Sequence, residues 1–225
     1  MTRQSIRLAA VISFVCTPAF AGGGADVVDD SEPETPGHCH VESWTAFGRD
    51  HSYLLNASPA CTFESLPDVE FGAAIDHAWS DSGNDTTIGP TLKWNIRGLE
   101  TGWGIALSGS TNISTKTGEA VSSAITVPIS VMLSDTIQFN TDIGWLHEKV
   151  GSMDRAFYGT QLEYQVTPDL NLMVEGFGRS PGRLGTEARL CWTPGQGPCD
   201  LDLFYGAFVD GVSARTVTIG FTFRV

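Results

Sequence analysis

Val217-Thr218-Ile219-Gly220-Phe221-Thr222-Phe223-Arg224-Val225 alternates without a break. Val217, Ile219, Phe221, Phe223 and Val225 fall on one face. Thr218, Gly220, Thr222 and Arg224 fall on the other. A period of two residues marks a β-strand, whose side chains point to opposite faces in turn. The same cadence runs back through the chain. Val127, Ile129, Val131 and Leu133 alternate with Pro128 and Ser130; Leu162, Tyr164 and Val166 alternate with Glu163 and Gln165. Ten such runs, separated by turn residues, occupy 67–225. No 3.6-residue period competes with them, so the expected fold is all-β and antiparallel.

Alternation alone does not say which face is inside. A soluble sandwich buries the apolar face, whereas a membrane-spanning barrel turns it to lipid. The aromatics favour the barrel. Phe71, Trp94, Trp103, Phe139, Tyr164, Trp192 and Phe221 sit near one predicted end of the strands; Trp79, Trp145 and Tyr158 sit near the other. Ile, Leu, Val and Ala fill the middle. Such a double girdle suits two membrane–water interfaces, where a ring has one apolar side and one wet side. The turns agree: the tight LSDT and TPD fall at the predicted periplasmic end, and loops such as HEKVGSMDRA fall outside. The polar face then lines a lumen. Glu70, Asp76, Lys93, Asp142, Glu163, Glu175, Glu187, Arg189 and Asp202 are expected to meet there as a charge network. The expected architecture is a closed up-and-down transmembrane β-barrel of about ten strands, which has no free edge.

Three segments precede it. Arg3, Arg7, the apolar run Leu8–Cys16 and the small residues Ala19 and Ala21 have the layout of a secretory signal, with cleavage expected after Ala21. Residues 22–37, GGGADVVDDSEPETPG, read as a disordered acidic leader, too poor in apolar residues to fold. Residues 38–66 are bounded by Cys39 and Cys61 and read as a disulfide-closed hairpin capping the barrel. Were this hairpin part of the wall, the strand count would be twelve. Export leaves four cysteines, and of their three possible pairings proximity in sequence favours Cys39–Cys61 with Cys191–Cys199.

The chain of 225 residues carries 26 acidic against 13 Lys and Arg, a net charge of −13. That balance excludes a nucleic-acid binder, which needs basic patches for phosphates. No apolar run reaches the ~18 residues of a spanning helix, which leaves a spanning barrel open. No cofactor motif stands out, and no metal is expected; His38 and His40 flank Cys39, which leaves a metal clip there as a minor alternative to the disulfide. A catalytic rim would have to draw on His77, His147, Ser80, Ser82 and Ser152, ordinary rim polars on their own.

Thr218, Gly220, Phe223 and Val225 resemble the C-terminal β-signal of Gram-negative outer-membrane proteins, in which a final Phe is more usual than Val. The resemblance implies an outer-membrane location, export by a cleaved signal, and handling by periplasmic chaperones and the outer-membrane assembly machinery, with Gly220, Phe223 and Val225 as the assembly signal. The strand-and-turn cadence also resembles small proteobacterial barrels loosely assigned to phenol degradation through the MetA pathway. The function expected is porin-like: small solutes crossing the bilayer through a narrow acidic lumen, without catalysis. A closed structural or interaction barrel and a rim-located lipid-modifying enzyme stay open as alternatives.

Overall fold

A computed structural model describes residues 25–48, 51–81, 83–149, 152–209 and 214–225. The expected signal, 1–21, lies outside the described residues, as does the start of the leader. Among the described residues twelve strands follow in chain order: β1 (Cys39–Gly48), β2 (Tyr53–Phe63), β3 (Leu66–Ser80), β4 (Gly83–Arg97), β5 (Trp103–Ser114), β6 (Ala120–Ser134), β7 (Ile137–Glu148), β8 (Met153–Thr167), β9 (Leu170–Ser180), β10 (Leu184–Trp192), β11 (Cys199–Ala207) and β12 (Thr216–Arg224). Each strand pairs with its sequence neighbours, and β1 pairs antiparallel with β12 from His40 opposite Arg224 to Gly48 opposite Thr216. The sheet is therefore a closed barrel. Closure pairs the backbone of every strand on both sides, which hydrocarbon demands of any spanning sheet.

The apolar face is outside. Ile75, Trp94, Ile125, Ile143, Leu162, Val174, Leu203 and Ile219 are all exposed, whereas Gln138, Asn140, Asp142, Gln161, Glu163 and Arg189 are buried inside the barrel. This inverts a soluble core, and a sandwich is thereby excluded. Of the girdle residues, Phe71, Trp79, Trp94, Trp103, Trp145, Tyr158, Tyr164, Trp192 and Phe221 are exposed and Phe139 is half-buried. On β12, Phe223 faces outward and Gly220 faces the lumen beside Asp202; Val225, just past the strand, is exposed.

The ten-strand count is corrected to twelve, the number held as the alternative. The 38–66 hairpin is not a cap; it is β1 and β2, built into the wall. Its polar residues misled because the informative parity is the opposite one. Glu42, Trp44 and Asn56 point inward, while Val41, Phe47, Tyr53, Leu55 and Phe63 face out. Ser43 and Thr45 dilute that outer face. Cys39 and Cys61 stand opposite each other in register, with Cα atoms 4.1 Å apart, and form a disulfide across the pair. The second expected bridge does not form: Cys191 and Cys199 are free. Cys191 shares the inward parity of Glu187 and Arg189, and Cys199 shares the outward parity of Leu201 and Leu203. The two sulfurs therefore start from opposite faces of the sheet.

Candidate lumen and its N-terminal strap

At the end of the barrel that holds Cys39 and Val225 (the terminal end), Gly37 N–H donates to Thr62 O at 2.8 Å. From this root the preceding residues do not leave the barrel; they run up inside it. The expectation of a disordered leader is overturned for residues 25–37, which form an extended strap across the lumen. The strap has almost no secondary structure of its own, and the wall satisfies its backbone. Val27 and Val28 N–H donate to the two carboxylate oxygens of Glu175 at 3.1 and 2.9 Å. Asp29 N–H donates to Asp142 at 3.0 Å, and Ser31 N–H to Ser130 Oγ at 2.9 Å. In the other direction, Gln161 donates to Val28 O and Asn95 to Ser31 O. Buried polar backbone needs such partners.

Ion pairs fix the strap at three levels. Glu34 lies 3.2 Å from His40 Nδ1 and 3.7 Å from Arg224, and its N–H donates to Glu70. Lys93 Nζ sits 2.9 Å from Asp29 and 3.5 Å from Asp30, and also donates to Glu32 O. Arg189 meets Asp26 at 2.6 Å and Glu163 at 3.3 Å, with Asp202 at 3.9 Å. The residues read as a charge network thus take different places. Lys93, Asp142, Glu175 and Arg189 bond the strap directly, as does Glu70 near its root. Glu163 and Asp202 flank Arg189. Asp76 accepts from Asn56 on the neighbouring strand, away from the strap. Glu187 is buried in the wall, facing the lumen.

Sequence reading missed an apolar contact in this polar interior. Val28 is fully buried against Phe157 and Phe177, with Val27, Leu146 and Val209 packed around them. Phe157 and Phe177 have inward parity, on β8 and β9. Val209 comes from the β11–β12 connection at the far end of the barrel, where Arg179 donates to its carbonyl at 3.2 Å. The strap from one end and this connection from the other therefore meet on one small cluster. Two glycines clear the way: a Cβ on Gly159 would lie 2.5 Å from Val28, and one on Gly104 would lie 2.5 Å from Ser31 Oγ.

The other side of the lumen is open. A cavity of about 380 Å³ lies between the strap and the wall formed by β1–β6, reaching β7–β9 beyond the strap. Its lining mixes hydroxyls, Ser58, Thr91, Ser108, Ser110 and Thr126, with the carboxylates of Glu42, Glu70, Asp29 and Asp142.

The rim histidines are placed apart. His77 on β3 bonds Thr86 Oγ1 at 2.8 Å. His147 on β7 bonds Asp154 at 2.9 Å and stacks on Trp145. Ser82 lies outside the described residues. The His38–Cys39–His40 cluster offers no thiolate, since Cys39 is bridged. Among the described residues no three His, Cys, Asp or Glu side chains gather as a metal would require.

Comparison with known proteins agrees with the barrel. A profile of the family described as uncharacterised conserved protein UCP029691 matches residues 10–225, and the chain belongs to that family. No curated relative matches. Among solved structures, the KdgM porin superposes with a TM-score of 0.64 at 8% identity, covering 82% of this chain and 98% of that one. The KdgM porin in complex with disordered oligogalacturonate gives 0.62 at 7% identity, over 83% and 98%. The NanC porin gives 0.60 at 12% identity, over 82% and 98%. At such identities the likeness is one of fold.

Proposed function

We propose that this family member is a porin-like barrel of the outer membrane that passes small hydrophilic solutes and favours cations. The observation that carries the reading is the hydroxyl- and carboxylate-lined cavity inside a closed barrel whose outer surface is apolar. Twelve strands lie between the ~8 whose interior side chains fill and the ~16–18 that hold wide aqueous channels. A passage of that width selects by charge, because fixed carboxylates in a low-dielectric wall concentrate cations. The ligand of the KdgM complex, oligogalacturonate, is polyanionic. The acids of this lumen outnumber its Lys and Arg, so that class of cargo does not carry over. The resemblance to phenol-degradation barrels is a finer reading that would put small aromatic solutes in the same cavity; its Ser and Thr lining favours hydrophilic ones. Residues 218–225 and the expected signal supply the assembly and export parts of the proposal.

The test is reconstitution of the full chain in planar bilayers under a KCl gradient. The expected result is a reversal potential of the sign given by cation preference, reduced in Glu42→Gln/Glu70→Gln. A non-selective current that ignores both substitutions would overturn the cation preference. A closed structural barrel is the second reading, favoured by the strap itself; it predicts no current from any variant.

A further inference from the structure

We infer that the strap is a displaceable plug: a ligand of the lumen wall, supplied by the chain itself, whose seating sets how far the lumen is open. The inference rests on the porin-like reading and deepens it.

Three observations support it. The first is position. Residues 26–34 cross the lumen from the terminal mouth to the β8–β9 wall, and what remains open is the cavity beside them. Any solute using the full cross-section has to displace the strap. The second is charge. The strap brings Asp26, Asp29, Asp30, Glu32 and Glu34 into a wall already acidic at Glu175, Asp142 and Glu163. Charged side chains of the same sign in a dry interior oppose each other unless cations sit between them. Lys93 and Arg189 of the wall are those cations for Asp26, Asp29 and Asp30, as His40 and Arg224 are for Glu34 at the root. Residues 26–34 bring no Lys, Arg or His to the wall's carboxylates, which accept only backbone N–H groups from the strap. The third is the latch. Deep in the lumen, Val28 is held by packing on Phe157 and Phe177, a contact that one polar side chain abolishes. Of the three side chains in this latch, Val28 belongs to the strap, and Phe157 and Phe177 belong to the wall. It can therefore be broken without substituting a strand residue.

The experiment uses the full chain with Val28→Asp, and Val28→Ile as the variant that keeps the latch apolar. Folding is checked by the mobility shift in SDS between unheated and boiled samples. Two quantities are read in parallel: conductance in planar bilayers, and labelling of a Ser31→Cys thiol by a membrane-impermeant maleimide, assigned to residue 31 by peptide mass so that Cys191 and Cys199 do not interfere. With the strap seated, residue 31 is buried and unlabelled. The expected result is that Val28→Asp labels residue 31 and raises conductance several-fold, while Val28→Ile does neither. Labelling without a change of conductance, in a protein that conducts, overturns the plug and leaves the porin-like reading standing. An unlabelled residue 31 in the folded Val28→Asp protein also overturns it, since the strap is then a fixed part of the wall. Labelled strap and no current from any variant brings down the porin-like reading itself, and the plug with it.

Discussion

The lumen has two walls built to different rules. From β7 to β11 the inward side chains are long: Gln138, Asn140, Gln161, Glu163, Met173, Glu175, Phe177, Glu187, Arg189, Asp202 and Phe204, nearly all buried. From β2 to β6 they are mostly short: Ser58, Ala60, Gly72, Thr91, Ala106, Ser108, Ser110, Ala124, Thr126 and Ser130. On the outside the two halves are alike, since both carry Ile, Leu, Val and aromatic residues to the same surface. The difference shows that a barrel's exterior sets where it resides while its interior is free to divide the work. The packed half holds the far part of the strap through Asp142, Gln161, Glu175 and Arg189, and the other half adds anchors at Glu70, Lys93, Asn95 and Ser130 while leaving room beside them.

The sharpest way to test this division is to remove the cation at the centre of the packed wall. Arg189→Gln leaves Asp26, Glu163 and Asp202 buried together with no guanidinium between them. Stripping one partner from a buried ion cluster costs about 3–5 kcal/mol. A marked fall in the urea midpoint of the vesicle-folded barrel is expected; an unchanged midpoint would mean that the packed wall is not what holds the molecule together. Next in size is the cross-strand bridge beside the open wall. Cys39→Ser/Cys61→Ser releases a loop with a sequence separation of 22, and the chain-entropy argument puts the loss at about 3 kcal/mol. The same unfolding assay reads it, and reducing agent should reproduce the loss in the native chain but not in the variant. The smallest stability effect is expected on the open wall. Ser108→Leu places a side chain into existing space, so stability should move by less than about 1 kcal/mol while conductance falls. A large loss of stability there would show that the cavity is tighter than its 380 Å³ implies.

What the sequence disclosed follows from the same contrast. The outer face obeys a local rule, alternation with neighbours two residues away, so β3–β12 and the girdle of Trp94, Trp103, Tyr158 and Trp192 were readable from short windows. The strap obeys no local rule. Val28 finds Glu175 147 residues away, and Ser31 finds Ser130 99 residues away. Its composition, judged alone, is that of a chain without apolar surface to bury, and the missing stabilisation comes from a wall that composition does not reveal. The β1–β2 hairpin escaped because Ser43 and Thr45 interrupt its outer face. The Cys191–Cys199 pairing was a different failure. The parity that forbids it, Cys191 with Arg189 and Cys199 with Leu201, stands in the sequence, and it outranks closeness along the chain. Phe157 and Phe177 were likewise on the polar parity of their strands, the one signal that could have exposed the latch.

The place of the Cys39–Cys61 bridge has a mechanical consequence. The strap joins the barrel at Gly37 and His38, immediately before the bridged pair, and Thr62 N–H and Cys39 N–H tie that point to His38 O and Val225 O. A pull on the strap along the barrel axis enters β1 end-on. Its hydrogen bonds to β2 and β12 then share the force in shear, and the covalent bridge to β2 takes up the load directly after the Gly37 and His38 contacts. The strap can be tugged from its seat without the seam between first and last strands being unzipped, as a rope fixed to a cleat can be hauled without opening the hull.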